Sequence, residues 1–278
     1  LASVDGKDEA GIIEILYYLS GLAVKYANEG LESDTRRVIE YIKDIGIASA
    51  LTGQEMVVTN AILLFSPVAK KACRRGMENA LVSIALALGE IGKVAAGQKM
   101  EVPAKTAALC LGEMGNTVTF TKTRKQIIAV IFALGEIGKS VTKHSLGDVA
   151  NSTVALLGET GKVAASQKFE DATLNVELLL QEIGTGAIEK NLQETASASA
   201  RLLGDIGRAA DRQGLERALL QAVYSLETIK FDAEDRYLMS ASIIAEVALM
   251  RFDIMDLDKL EEKLNENLRA KRKFSYLD

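Results

Sequence analysis

Leu81, Ile84, Leu88, Ile91 and Ala95 recur at steps of three or four residues, which is one stripe of a helix and not the alternation of a strand. Between Val82 and Leu88 apolar residues run around most of the helix, which predicts packing between several neighbours. Ala85 and Ala87 add helix propensity and let backbones approach. The pattern then repeats along the chain. LGEIGKVAA begins at Leu88, LGEMGNTVT at Leu111, LGEIGKSVT at Leu134 and LGETGKVAA at Leu157, each 23 residues after the last. LQEIGTGAI at Leu180 and LGDIGRAAD at Leu203 continue the series, and the same register meets KDIGIAS at Lys43, SPVAKKA at Ser66 and LETIKFD at Leu226. A second landmark keeps the same step: GLE at Gly30, GME at Gly76, KME at Lys99, KFE at Lys168, NLQ at Asn191 and GLE at Gly214. Two landmarks sharing one period make a repeat array.

The pattern predicts helices near 8–27, 32–49, 55–73, 77–96, 103–118, 124–141, 146–165, 170–187, 192–210, 215–229, 235–251 and 256–270. Turns of about five residues make neighbours antiparallel. Pro103 suits a first helical turn, where a missing amide donor does no harm. Pro67 stands inside a repeat, at the position of Glu90, and predicts a bend or an early break.

Two units make a hairpin of 46 residues, and with the LGEIG signature this resembles the HEAT-like repeats, an alpha-solenoid family. The resemblance covers about residues 30–230 and is strongest from Leu88 to Ala165. It implies an all-α, right-handed alpha-alpha superhelix of about 11–12 antiparallel helices, and says little about function. One departure stands out: the best-matched copies, at Leu88 and Leu157, lie three units apart, where alternating helices should match at even multiples. The chain reads as one domain, 1–278, with divergent capping regions at 1–30 and 231–278.

The paired glycines, Gly89 and Gly92, Gly112 and Gly115, Gly135 and Gly138, Gly158 and Gly161, cost helix stability at every copy. Close helix crossing explains them; a bend or helix end at the second glycine is the alternative. They lack the preceding strand and GK[ST] loop of a phosphate site. Glu90, Glu113, Glu136, Glu159, Glu182 and Asp205 share one repeat position, and Lys93, Lys139, Lys162 and Arg208 follow three residues later. They read as helix-surface ion pairs or, alternatively, as an acidic ladder meeting a basic partner, divided between surfaces if alternate helices face opposite ways. Lys70, Lys71, Arg74 and Arg75 form the clearest basic cluster, a solvated helix face or a phosphate-binding patch. Leu260, Leu264 and Leu268, followed by Arg269, Lys271, Arg272 and Lys273, read as a capping helix or a docking tail.

Composition narrows the chemistry. Thirty-three basic against 38 acidic residues give a formal charge of −5, which disfavours a whole-surface nucleic-acid binder. One histidine, His144 near a turn, and two isolated cysteines, Cys73 and Cys110, predict no metal centre and no cofactor. The cysteines read as reduced core thiols, consistent with the cytoplasm. No uninterrupted apolar run reaches the roughly 18 residues of a bilayer span, so no transmembrane segment is expected here, and any membrane association is assigned to a region outside this chain. No local constellation marks a catalytic residue, and no two ladder carboxylates stand out as an acid–base pair. The sequence points to a noncatalytic scaffold binding a protein or peptide across several repeats. The alternatives are an enzyme or small-ligand protein with a pocket inside the superhelix, and nucleic-acid binding at the basic patch.

Overall fold

The computed structural model describes residues 9–116 and 123–252. The described residues form α1 (Glu9–Glu29), α2 (Glu32–Leu51), α3 (Glu55–Leu63), α4 (Phe65–Arg74), α5 (Glu78–Gly97), α6 (Glu101–Asn116), α7 (Arg124–Lys143), α8 (Gly147–Ser166), α9 (Glu170–Glu189), α10 (Gln193–Gln213), α11 (Glu216–Asp235) and α12 (Met239–Leu249). From Glu32 onward, helix positions begin every 23 residues, with α3 and α4 sharing one. The expected helix at 256–270, and the docking tail with it, lie outside the described residues.

One turn chemistry makes the step. Gly30, Gly53, Gly76, Lys99, Ser145, Lys168, Asn191, Gly214 and Tyr237 all hold a positive φ, between 57° and 82°. The next amide then reaches back five residues, as from Leu31 N to the Tyr26 carbonyl at 2.9 Å and from Leu192 N to the Ala187 carbonyl at 2.8 Å. This is the Schellman closure, which satisfies helix-end carbonyls and reverses the chain within three residues. The sequence landmark beginning at Gly30 is this turn: the left-handed residue, an apolar residue, then the first residue of the next helix.

Consecutive helices run antiparallel, since Lys230–Glu246 and Glu234–Ser242 are contacts mirrored about Leu238. Helices two apart run parallel at a fixed offset of 45 residues, Gly46 against Ile91 and Gly161 against Ile206. The result is two layers. Layer I holds α2, α5, α7, α9 and α11; layer II holds α1, the α3–α4 pair, α6, α8, α10 and α12. A buried core runs between them from Leu16 to Phe252.

Pro67 breaks its unit as expected. Without an amide proton it leaves the Leu63 carbonyl without its i+4 donor, and the helix is interrupted at Leu64. The Leu64 carbonyl accepts the Ser20 hydroxyl from α1 at 3.3 Å. Pro103 lies in the first turn of α6. The apolar run in α5 packs between several neighbours as expected, α2, α4, α6 and α7: Leu81, Ile84, Ala85, Ala87 and Leu88 are buried, while Leu86 faces outward. Charge interruptions also matter less than expected for membrane measure. α1, the α3–α4 pair and α5 are each long and apolar enough to cross a bilayer when a few charges are allowed, which corrects the reading from uninterrupted runs. In α5 most of that apolar surface is buried inside the stack; in α1 most of it is not.

Candidate protein-interaction surface

The glycine pairs set how close neighbouring helices come, within a layer and, at the second glycine, between layers. A Cβ on Gly89 would lie 2.7 Å from the Ala133 Cβ and 2.9 Å from its Cα, in the next helix of the same layer. A Cβ on Gly92 would meet Ile137 Cδ1 at 2.6 Å and Ala107 Cβ at 2.8 Å, so the second glycine touches two helices at once. The pattern repeats: Gly112 against Leu156, Gly115 against Thr160 and Val130, Gly135 against Leu179, Gly138 against Ile183, Gly158 against Leu202, and Gly161 against Val176 and Ile206. Seven of the eight lie well inside helices, so close crossing accounts for them and a helix end does not; Gly115 is next to the last residue of α6 and is closely packed as well.

The carboxylate ladder divides between the layers. Glu90, Glu136 and Glu182 stand on α5, α7 and α9 of layer I; Glu113, Glu159 and Asp205 stand on α6, α8 and α10 of layer II. In layer I, Lys93 donates to Glu136 at 2.6 Å, and Lys139 bridges Glu136 at 2.6 Å and Glu182 at 3.4 Å. Lys43 pairs with Glu40 at 2.6 Å and reaches Glu90 at 3.5 Å. In layer II, Lys162 spans Glu159 at 2.8 Å and Asp205 at 3.7 Å, and Arg208 closes on Asp205. Hydrogen bonds from Lys139 and then Lys93 hold the Glu136 carboxyl below its ordinary range. The bond to Glu136 raises Lys139, and that to Glu40 raises Lys43.

Beside the layer I ladder runs a row that the 23-residue comparison conceals. Leu86, Phe132, Leu178 and Tyr224 occupy the same position on α5, α7, α9 and α11, and are 45%, 47%, 43% and 41% exposed. One turn earlier Val82, Ile128, Leu174 and Leu220 are half-buried, widening the row into an apolar band. The equivalent layer II residues are Leu109, Ala155, Arg201 and Val247, which do not make a comparable row. Comparing each copy with its second neighbour, at 46 residues, is the signal that separates the two surfaces. Contiguous outward-facing apolar residues beside charged ones mark contact surfaces.

Other predicted sites stand apart. Lys70, Lys71 and Arg74 lie on α4 with Arg75 as its C-cap, where positive charge complements the helix dipole, and none of the four forms an ion pair among the described residues. Between α4, α5 and α6 a small cavity of about 30 Å³ is lined by Phe65, Ser66, Ala69, Lys70, Ile84, Leu88, Cys110, Glu113 and Met114, so it brings Lys70 of the basic cluster and Glu113 of the carboxylate ladder to one place. Cys73 and Cys110 form no disulfide and are half-buried, not fully in the core, and burial pushes the Cys110 thiol up to about 11, with Glu113 adding to it. His144 Nδ1 lies 2.8 Å from the Ser140 carbonyl, so its proton is directed there. An open polar groove of about 570 Å³ crosses the starts of α8, α10 and α12, with Asn151 bonded to Glu194 and Thr195. No group of three metal-ligating side chains occurs among the described residues.

No family model matches the sequence, and no curated protein matches it. Among solved structures, the chain is similar to a "Circular tandem repeat protein with novel repeat topology and enhanced subunit contact surfaces". The TM-score is 0.54 at 12% identity, covering 91% of this chain and 66% of that one, so this chain spans just under two thirds of that protein's length. At that identity the likeness is one of fold: an all-α stack of helical repeats.

Proposed function

We propose that this chain is a noncatalytic protein-interaction scaffold, a single HEAT-like, right-handed superhelix acting in the cytoplasm. The observation that carries the reading is the row Leu86, Phe132, Leu178 and Tyr224, repeated across four parallel helices and flanked by Glu90, Glu136 and Glu182. A partner segment with apolar side chains, and charges of both signs beside them to match the Lys–Glu ladder, suits that band. The apolar contacts supply affinity and the carboxylates set orientation. Glu113, Glu159 and Asp205 belong to the opposite layer and offer a separate charged surface. The enhanced subunit contact surfaces of that structural neighbour are in keeping with a partner-binding role for this kind of stack.

Affinity capture from source-cell lysate, quantified by mass spectrometry, tests the reading. The native chain is compared with Phe132→Ser/Leu178→Ser and, as control, Leu109→Ser/Val247→Ser on layer II. Proteins enriched by the native chain and the control but lost from the layer I variant support it. Identical enrichment by all three folded baits counts against it.

A further inference from the structure

The spacing of the layer I row constrains the shape of whatever crosses it. The Ala133 Cα lies 2.9 Å from a Cβ placed on Gly89, so the α5 and α7 backbones touch. With Cα atoms about 2.3 Å from each helix axis, such contact sets the axes about 8–9 Å apart, the short end of the usual range. Gly135 and Gly184 admit the Leu179 and Ile229 side chains at the same kind of close approach, so α9 and α11 follow at a similar step. Leu86, Phe132, Leu178 and Tyr224 hold one position on these four parallel helices. The result is an apolar rung roughly every 9 Å.

Regular backbones return a side chain to one face at different intervals. A β-strand does so every two residues, about 6.6 Å, a polyproline II helix every three, about 9.3 Å, and an α-helix every seven, about 10.5 Å. Over the three steps from Leu86 to Tyr224, roughly 27 Å, the triplet misses by about 1 Å, the heptad by about 4–5 Å and the strand by about 7 Å. Hydrogen bonding points the same way. No strand occurs among the described residues, so a β-segment finds no edge to pair with, whereas a polyproline II backbone stays solvated and needs none. The strip is also narrow. Val82 and Leu86 are one turn apart, about 6 Å, and an α-helix is about 10–12 Å across with its side chains.

We infer that the band takes an extended segment of a partner protein in the polyproline II conformation, with an apolar residue at every third position and charged residues of both signs between. This rests on the reading of the band as a partner surface, and it fixes the conformation and spacing of what binds there. With three residues per turn, one side chain of each triplet enters the strip and the other two point toward its edges. Both edges are charged. On one, Glu136 is held by Lys93 and Lys139, each at 2.6 Å, and Lys139 reaches Glu182 at 3.4 Å. On the other stand Lys125, bonded to Asn79 at 2.7 Å, and Arg217, paired with Asp171 at 3.6 Å. Neither edge carries a single sign, so a segment with mixed charges meets both. The row stops at α2, where the two band positions hold Arg36 and Glu40.

Fluorescence anisotropy of the full chain with three labelled synthetic peptides tests this. The triplet probe is Leu-Pro-Lys-Leu-Pro-Glu-Leu-Pro-Lys-Leu-Pro-Glu. A second peptide carries the same residues with leucine at every second position, and a third is a helical peptide with leucine at every seventh. The triplet peptide should bind at least about tenfold more tightly than the others, and removing one triplet should weaken it about tenfold. Phe132→Ser/Leu178→Ser, with unchanged helical circular dichroism, should abolish binding, while Leu109→Ser/Val247→Ser should bind like the native chain. Equal or tighter binding of either rival peptide overturns the inference, as does triplet binding that survives the Phe132 and Leu178 changes. Binding by none of the three overturns it too. Lysate capture that still depends on Phe132 and Leu178 would then leave the partner reading standing, and capture that does not would remove both.

Discussion

Gly89 and Gly97 show how one residue type does two jobs in one helix. The space beyond Gly89 is filled by the Ala133 backbone, which cannot swing aside, while nothing lies within 4 Å of a Cβ added at Gly97. Gly89→Ala should therefore destabilise by about 1–3 kcal/mol through overpacking. Gly97→Ala, at the last position of α5, should be neutral or stabilising by up to roughly 1 kcal/mol. Urea unfolding of the two variants separates the readings. Glu177 is the clearest residue-scale anomaly: it is fully buried, and both carboxylate oxygens lack a hydrogen-bond partner among the described residues. Ile131, Val154 and Val223 hold the same repeat position. Burial, with Glu170 nearby, raises the Glu177 pKa well above the ordinary carboxylate range. The folded state thus holds a proton that the unfolded chain releases, so this residue costs stability progressively as pH rises from about 4.3 to its folded pKa. Glu177→Val should raise stability near neutrality by about 1–3 kcal/mol and flatten that decline, as read by unfolding midpoints across pH. Nothing in the local sequence distinguishes this glutamate; only alignment of the copies shows a carboxyl standing among aliphatic residues.

At the scale of the helix, capping is shared between repeats. The residues before α2, α5, α8, α9, α10, α11 and α12 are Leu, Met or Phe, and none supplies a side-chain cap. Two ends receive a carboxylate from the helix two positions earlier. Glu32 Oε1 accepts Ala80 N at 3.0 Å, and Glu170 Oε1 accepts Arg217 N at 3.0 Å. α7 is the exception, with a Thr123–Gln126 capping box. Glu32→Ala should cost about 0.5–2 kcal/mol, the range for losing a cap, and should speed amide exchange at Ala80 in α5, although the change lies in α2. Nuclear magnetic resonance exchange rates test that displacement. Helix existence and spacing were legible because periodicity and turn residues repeat in the primary chain. The Pro67 break was legible for a chemical reason, the missing donor. The carboxylate caps and the outward row were not, since both join residues about 46 apart and become visible only once alternate helices are assigned to alternate layers.

Across the whole molecule, interactions stay short in sequence. Among the described residues, side-chain hydrogen bonds and ion pairs between helices join positions up to 48 residues apart, as between Glu32 and Ala80. Stability in such a stack is a sum over units and their neighbours, so a lesion is felt locally. Gly89→Ala should lower hydrogen-exchange protection in α5 and α7 and leave α10 to α12 unchanged; equal loss along the entire chain would contradict this. The two-layer geometry also gives the chain a parity. Each 23-residue unit reverses direction and changes layer, so even and odd additions have different consequences. Duplicating 46 residues would lengthen the stack and extend the row of Leu86 and Phe132 by a rung. Duplicating 23 between α7 and α8 would send Leu178 and Tyr224 to the other side of the molecule, cutting the row in half while leaving every helix intact. Growth by pairs preserves the surface, and growth by single units scrambles it.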